Sequence, residues 1–144
     1  MKKVFIGFWV LCFVAAQAKT MSCALSVVAM GIRDTKGEIR FSLYNKDGTI
    51  PDKNMDKYFK MKSAKIEKNR AKVVFEDLPK GRYAISIYHD ENNNHKIDQG
   101  FLMPDEGVGL SNFKTINFFN LPDFKSASFF LNCNKEVKIN LIYF

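Results

Sequence analysis

The sequence lacks most of the motifs by which enzymes are recognised. Its 144 residues include only two histidines, one tryptophan and three cysteines. They contain no P-loop, no dinucleotide-binding G-x-G-x-x-G, no zinc-binding H-E-x-x-H, no paired-cysteine motif and no G-x-S-x-G nucleophile elbow. These absences argue against nucleotide chemistry, zinc catalysis and the common serine hydrolases. Internal repeats and low-complexity linkers are also absent, so a single domain is expected.

The first 18 residues have the pattern of a secretory signal peptide. Lys2 and Lys3 form a short basic segment, residues 4–15 form an apolar run, and Ala-Gln-Ala at residues 16–18 has the small-x-small form of a cleavage site. The apolar run is shorter than the roughly 20 residues that a membrane-spanning helix needs. We therefore expect removal of residues 1–18, leaving one exported domain, residues 19–144, that is periplasmic or secreted.

The charge balance is basic and is not organised into a stripe. The formal net charge is +7, and removal of Lys2 and Lys3 lowers it by two. Most of the remaining lysines are scattered through residues 53–72 and 114–138, which indicates a solvated surface rather than a nucleic-acid interface. An exported domain of this kind is expected to bind no nucleic acid and to have no transmembrane span. Envelope polysaccharides or proteins are its candidate partners.

Two cysteines, Cys23 and Cys133, remain after removal of the signal peptide. Exported proteins reside in oxidising compartments, where paired thiols tend to form disulfides. A Cys23–Cys133 disulfide would join the two ends of the domain and would stabilise it by about 4–5 kcal/mol in the chain-entropy model. The alternative is two isolated thiols that never come within bonding distance.

Alternating hydrophobicity indicates strands along most of the domain. In residues 38–44, Ile39, Phe41 and Leu43 alternate with more polar residues, including Ser42, which is the pattern of a half-buried strand. Similar patterns predict strands near residues 24–33, 61–66, 71–76, 83–87, 127–131 and 137–143. Residues 49–62 fit one or two helical turns or a crossover, and residues 103–109 are expected to be irregular. About seven short strands and no long helix predict an all-β fold, an antiparallel Greek-key β-sandwich of the immunoglobulin-like or prealbumin-like type.

A polar loop follows the fifth predicted strand and contains oxygen-bearing residues at every second position. Asp90, Asn92 and Asn94 match the first, third and fifth positions of a calcium loop, where side-chain oxygens bind the ion. Lys96 stands at the seventh position, which contributes a backbone carbonyl, and Asp98 stands at the ninth. The spacing predicts a Ca²⁺ site of the weak extracellular class, with Kd of about 10⁻⁴–10⁻³ M.

Two positions of this loop depart from the calcium pattern. His95 occupies the sixth position, where a glycine permits a sharp turn, and Phe101 occupies the twelfth, where a bidentate glutamate is expected. Asp105 or Glu106 could supply the missing oxygen. The alternative is a surface loop without metal, because Asp and Asn side chains stabilise their own turns.

Several phrases carry a family resemblance. The sequence FEDLPKGRYA at residues 75–84, followed by HDENNN at 89–94, resembles a bacterial exported family called domain of unknown function 2141. Further matches are GEI at 37–39, PDEGVGLSN at 104–112 and FKSASF at 124–129, so the resemblance covers roughly residues 35–144. It implies a single exported domain and supplies no activity, and His95 stands where the family usually has glycine. The LPKGRY phrase is also similar to prealbumin-like and collagen-adhesin B-type sandwich modules, a likeness of fold alone.

Three functions remain in competition, and the absence of a catalytic motif argues against the one that requires catalysis. The first is a binding or structural module of the cell envelope, with its functional edge in residues 89–112, including His89, Glu106, Ser111 and Asn112. The second is a hydrolase of envelope polymers that uses His89 and nearby carboxylates. Its nucleophile would be one of three serines, Ser111, Ser126 or Ser128. A protein-binding surface on the aromatic segment 113–124 is a third hypothesis, although these aromatic residues are expected to lie in the core.

Overall fold

The computed structural model describes residues 22–100, 103–117 and 119–144. The predicted signal peptide, residues 1–18, lies outside the described residues. The elements in chain order are β1 (Cys23–Met30), β2 (Glu38–Tyr44), β3 (Lys60–Lys65), β4 (Ala71–Leu78), β5 (Gly81–Asp90), β6 (Val108–Leu110), α1 (Phe124–Ala127), β7 (Phe129–Leu131) and β8 (Lys135–Asn140). No helix in these ranges is long and apolar enough to cross a membrane.

The eight strands form two sheets. One has the order β4-β1-β8, and the other has the order β3-β2-β5-β6, with β7 also pairing with β5. Every pair is antiparallel except β1 with β8, which run parallel from Leu25 opposite Lys135 to Met30 opposite Asn140. The all-β prediction is confirmed. Residues 49–62 enter β3 through turns and a cis Ile50–Pro51 peptide, without a helix.

The two sheets pack face to face over one hydrophobic core. Strands β1, β2, β4, β5 and β8 present alternate apolar side chains to this interior, because successive residues of a strand point to opposite faces. The fully buried members include Leu25, Phe41, Phe75, Ile85 and Leu131, which come from five different strands. This continuous core identifies the fold as a sandwich of two sheets.

A smaller core covers the opposite face of the five-stranded sheet. Its buried members are Tyr44, Ile50, Ala84, Leu110, Phe124 and Ala127. The sequence pattern predicts that the polar face of β2 is exposed, and this prediction is wrong for Ser42, which is 1% exposed because the outer layer covers it. Phe113 and Ile116 pack against this layer, whereas Phe119 is fully exposed and Leu121 is 74% exposed. The aromatic segment 113–124 therefore contributes both to the core and to the surface.

Lysine side chains occupy the edge between β3 and β4. Lys60 Nζ donates a hydrogen bond to the carbonyl oxygen of Glu76 at 2.9 Å, and Lys62 Nζ donates to that of Val74 at 2.6 Å. Because β4 is the edge strand of its sheet, these ammonium groups satisfy carbonyls that a further strand would otherwise bind.

Candidate ion loop and adjacent cavity

The carboxylate of Asp90 is the centre of the polar loop. Asp90 is the last residue of β5, and its side chain is fully buried. Its Oδ1 accepts a hydrogen bond from the amide of Asn94, and its Oδ2 accepts one from the amide of His95, both at 3.0 Å. Amide donors of this kind stabilise an ionised carboxylate, which is why a buried acid can stand at the end of the strand.

The alternating amides wrap the chain around Asp90. Asn92 Oδ1 accepts from the amide of Asn94 at 3.0 Å, and Asn94 Oδ1 accepts from the amide of Lys96 at 2.8 Å. The side-chain nitrogens of both asparagines donate to the carboxylate of Asp98, at 2.6 and 2.8 Å. The structure thus brings the side chains of Asn92, Asn94 and Asp98 together, and it places the Asp90 carboxylate against the backbone of the same loop.

His95 adopts the backbone conformation that the sixth loop position requires. Its φ is +63°, in the left-handed region that glycine occupies most easily. Asn93 has a φ of +57° and lies in the same region. The sequence suggests that a histidine at this position conflicts with the sharp turn. The structure shows that the turn is made with the histidine in place, and His95 Nδ1 lies 3.2 Å from Asp90 Oδ2.

Glu106 ties the two ends of the loop together. It is 4% exposed, and its two carboxylate oxygens accept from the amide of Glu91 at 3.0 Å and from the amide of Asp98 at 3.1 Å. Burial raises the pKa of Glu106 above its usual range, while these two amide donors lower it. Glu106, one of the two residues that could supply the missing oxygen, therefore lies beside the loop and binds two of its backbone amides.

A second group of potential metal ligands lies at the start of this loop. Glu38, Asp90 and His95 offer one ligand atom each, all within 4.8 Å of one another. Arg40 occupies this place: its guanidinium donates to Glu38 Oε1 at 3.2 Å and contacts His95 Nδ1. Since the guanidinium of Arg40 already occupies this place and offsets one of the two carboxylate charges, a metal ion there would have to displace Arg40.

His89 is a buried structural residue. Its Nε2 lies 2.7 Å from the carbonyl oxygen of Lys36, so that nitrogen carries a proton, because a carbonyl can only accept. Its Nδ1 lies 2.9 Å from the hydroxyl of Tyr143, and the side chain is fully buried. Next to this contact, Gly37 has a φ of +64°, and a Cβ on it would overlap the carbonyl group of Asp90. His89 therefore fastens the β1–β2 connection and the C-terminal segment to β5.

The serines of the hydrolase hypothesis are also engaged in structural hydrogen bonds. Ser111 is 1% exposed, and its hydroxyl accepts from the amide of Ile85 at 2.9 Å and donates to the carbonyl of Ala127 at 2.7 Å. Ser126 forms a capping box with Asp123, and Ser128 accepts from the guanidinium of Arg82. Among the described residues, no hydrogen bond joins His89 to a serine.

Asn112 reinforces the attachment that Ser111 makes. Its φ is +66°, and its Nδ2 donates to the carbonyl oxygens of Ala127 at 3.2 Å and Ser128 at 3.0 Å. Both residues hold the chain that leaves β6 against the end of α1. The polar side-chain atoms of Ser111 and Asn112 are thus used for backbone attachment.

A cavity of about 710 Å³ lies beside the ion loop, on the outer side of the five-stranded sheet. The loop, residues 90–98, contributes His95, Lys96 and Ile97 to its wall, and Gln99, which follows it directly, also lines the cavity. The other lining residues are Tyr44, Ile50, Pro51, Asp52, Lys53, Asn54, Met55, Ser86, Pro104, Val108, Gly109, Leu110, Ile116 and Pro122. Neither His89, Glu106 nor Ser111 lines it, so the cavity does not gather the groups that the hydrolase hypothesis requires.

The thiols of Cys23 and Cys133 lie next to each other. Their sulfur atoms are 2.9 Å apart, in reduced form. Cys23 is 1% exposed and begins β1, and Cys133 lies between β7 and β8. The two ends of the domain thus meet where the sequence predicts a disulfide, and a small shift would bring the sulfurs to the bonded separation of about 2.05 Å. The bond itself stays a prediction.

Residues 27–140 match the model of a family described as an uncharacterized protein conserved in bacteria, DUF2141. The chain belongs to this family. The match runs from β1 to the last residue of β8, so the DUF2141 domain includes both sheets, the ion loop and the cavity wall. No curated protein and no solved structure matches the chain significantly.

Some candidate functional residues of this DUF2141 domain cannot be identified from the sequence alone. Glu38 and Arg40 look like ordinary residues on the exposed face of β2, and only the strand pairing reveals that they meet the ion loop. The cavity is assembled from segments near residues 44–55, 86, 95–110 and 116–122. No local pattern in the sequence signals such a convergence.

Proposed function

We propose that this DUF2141 domain is an exported binding module of the bacterial cell envelope, in which the loop Asp90–Asp98 binds calcium and thereby orders one wall of the ligand cavity. The observation that carries the proposal is that His95 and Lys96 belong both to the loop and to the cavity wall. Both belong to the loop that wraps around Asp90, and both line the cavity. An ion that holds this loop would also hold part of the binding surface.

The donor set supports calcium as the cation. Calcium takes six to eight oxygen ligands from carboxylates, amide and backbone carbonyls and water. Asp90 and Asp98 supply carboxylates, Asn92 and Asn94 supply amides, and Lys96 supplies its backbone carbonyl in the predicted ligand set. On binding, the ion would replace the hydrogen bonds that the two asparagines donate to Asp98.

The proposed export rests on residues 1–18 and on the cysteine pair. A basic start, an apolar run and a small-x-small site are the features of a signal peptide. The juxtaposed sulfurs of Cys23 and Cys133 support a disulfide, which would form in an oxidising compartment.

Thermal unfolding of residues 19–144 in EDTA and in calcium tests the ion loop. With Kd near 10⁻⁴–10⁻³ M, 10 mM calcium should stabilise the native state by about 1.4–2.7 kcal/mol. The variant Asp98→Asn should lose most of this shift, because it removes one carboxylate charge from the ligand set. The matched control Asp56→Asn removes a carboxylate at an exposed position outside the loop and should keep the shift. Equal melting temperatures of the unaltered domain in EDTA and calcium would refute the calcium loop.

A further inference from the structure

We propose that the cavity accepts an amphiphile with an unbranched apolar body and an anionic head group, such as a fatty-acid carboxylate. The inference rests on the proposed binding function and specifies its ligand class. It follows from three properties of the cavity: its size, its apolar wall and the sign of the charge at its rim.

The size and the wall fit an apolar body. A volume of about 710 Å³ lies within the range of roughly 300–1,000 Å³ that is usual for small-molecule sites. Ten of the lining side chains are apolar or aromatic: Tyr44, Ile50, Pro51, Met55, Ile97, Pro104, Val108, Leu110, Ile116 and Pro122. A sugar would need a wall with many free hydrogen-bonding groups, and the hydroxyl of Tyr44 already donates to Asp52 at 3.1 Å.

The polar groups of the rim favour a negative head group. Lys53 and Lys96 line the cavity, and within the described ranges neither ammonium group has an ion pair or a hydrogen bond. Asp52 is the one acidic residue of the described lining. Its carboxylate accepts hydrogen bonds from Tyr44 and from the amides of Asp56 at 3.2 Å and Lys57 at 2.9 Å.

The carboxylate of Asp52 therefore serves to stabilise the cavity wall. Its hydrogen bonds hold the turn at residues 52–57 against β2, and they leave the two lysines without an acidic partner in the cavity. Ser86 also lines the cavity, and its hydroxyl has no hydrogen-bond partner among the described residues. The lining thus offers two positive charges and one hydroxyl to an incoming head group, beside the polar side chains of Asn54, His95 and Gln99. An anion on a flexible apolar chain satisfies these groups and fills the space between them.

Isothermal titration of residues 19–144 with three ten-carbon probes tests the proposal. The probes are decanoate, decyl sulfate and decanol, each below its solubility limit in the calcium-containing buffer and, for the two anions, below the micelle concentration. Decanoate should bind about tenfold more tightly than decanol, as expected for charge-assisted hydrogen bonds. Equal affinity for decanoate and decyl sulfate would define the head-group site as selective for charge, and a preference for decanoate would define it as selective for carboxylates.

Matched variants assign the effect to this cavity. Lys53→Gln/Lys96→Gln should remove the advantage of decanoate over decanol, whereas Lys65→Gln/Lys68→Gln removes the same charge at exposed positions outside the cavity and should preserve it. Ile116→Trp, which fills the cavity, should weaken all three probes, with circular dichroism and melting as checks of folding.

The outcomes separate this inference from the proposed function. Equal binding of decanoate and decanol would overturn the anionic head group and leave an apolar binding site. Absence of binding by every probe, together with an intact calcium-dependent melting shift, would overturn the amphiphile and leave the ion loop. Binding that survives Ile116→Trp unchanged would place the probes elsewhere and would also overturn the inference.

Discussion

Glu38 and Asp90 are direct partners across the antiparallel pair of β2 and β5, with Glu38 at the first residue of its strand and Asp90 at the last. Like charges directly opposite each other destabilise a sheet. Arg40 offsets this repulsion through its hydrogen bond to Glu38 and its contact with His95. Because Glu38 and Asp90 face each other, the positive charge of Arg40 is what offsets their repulsion at the start of the ion loop.

Replacement of Arg40 by leucine should therefore destabilise the domain. Its side chain is 13% exposed, and its removal leaves Glu38 without its donor beside Asp90, at an expected cost of about 1–3 kcal/mol in the free energy of unfolding. Urea unfolding measures this loss, and Arg70→Leu, at an exposed position, is the control. The double variant Arg40→Leu/Glu38→Gln should recover part of the stability. A double variant no more stable than Arg40→Leu alone would contradict this electrostatic role.

The left-handed backbone of His95 gives a second prediction. Asparagine tolerates this conformation, while a β-branched side chain is strained in it. His95→Asn should keep the free energy of unfolding close to that of the unaltered domain, and His95→Val should lower it by about 1–2 kcal/mol. Denaturant midpoints of the two variants provide the comparison, since both lose the ring. If the valine variant matched the asparagine variant, the turn would not depend on the φ of residue 95.

Tyr88 provides a prediction about alkaline pH. Burial raises the pKa of Tyr88 to about 12, and the neighbouring acids Asp90, Glu106 and Glu38 add to the shift while Arg40 opposes it. Because the folded-state pKa is higher than that of the unfolded chain, the unfolded state releases its proton first. Stability is therefore lost as pH rises from about 10 through 12, by about 2–3 kcal/mol from this residue.

Difference absorbance of tyrosinate checks this assignment. In Tyr88→Phe, the ionisation step close to pH 12 should decrease in amplitude, and the alkaline slope of the free energy of unfolding should become shallower. Tyr83→Phe, which alters a different buried tyrosine of β5, serves as the comparison. An unchanged step in the Tyr88 variant would assign the ionisation to another residue.

The cysteine pair predicts a redox-dependent stability. Mild oxidation of residues 19–144 should form an intramolecular Cys23–Cys133 disulfide, detected as a loss of two thiols and two hydrogens in mass. The oxidised domain should be more stable than the reduced domain by up to about 4–5 kcal/mol. Cys23→Ser/Cys133→Ser should show no such difference. Mixed intermolecular disulfides instead of the internal bond would show that the two ends separate in solution.

The accuracy of sequence-based prediction differed between elements for physical reasons. The bounds of β2 agree with the prediction at both ends, because one face of this strand follows a strict alternation over Glu38–Tyr44. β6 was missed: it has only three residues, and its central Gly109 packs so closely that a Cβ would meet the carbonyl oxygen of Asn140 at 2.8 Å. A glycine needed for close packing looks, in a sequence, like a glycine of an irregular loop.

Within the site, contacts between residues close in the sequence were predictable, whereas contacts between distant residues were not. The spacing of Asp90, Asn92, Asn94 and Asp98 predicts a calcium site, which stays a prediction. The hydrogen bonds from the two asparagine side chains to Asp98 and from the Asn94 amide to Asp90 are local in sequence. The sequence places His89 at the end of a strand beside the loop, but its partners Lys36 and Tyr143 lie more than 50 residues away. Contacts of that range depend on how strands pair, and alternation alone does not encode the pairing.

The parallel pairing of β1 with β8 has a consequence for the order of events in synthesis. β1 leaves the ribosome among the first residues of the domain, and one of its two edges is completed only by the strand that ends at Asn140. Until then the first sheet has an open edge and the core lacks Ile139. Contacts of such high sequence separation form slowly. The complete three-stranded sheet and its core therefore cannot form before synthesis of the domain is nearly complete.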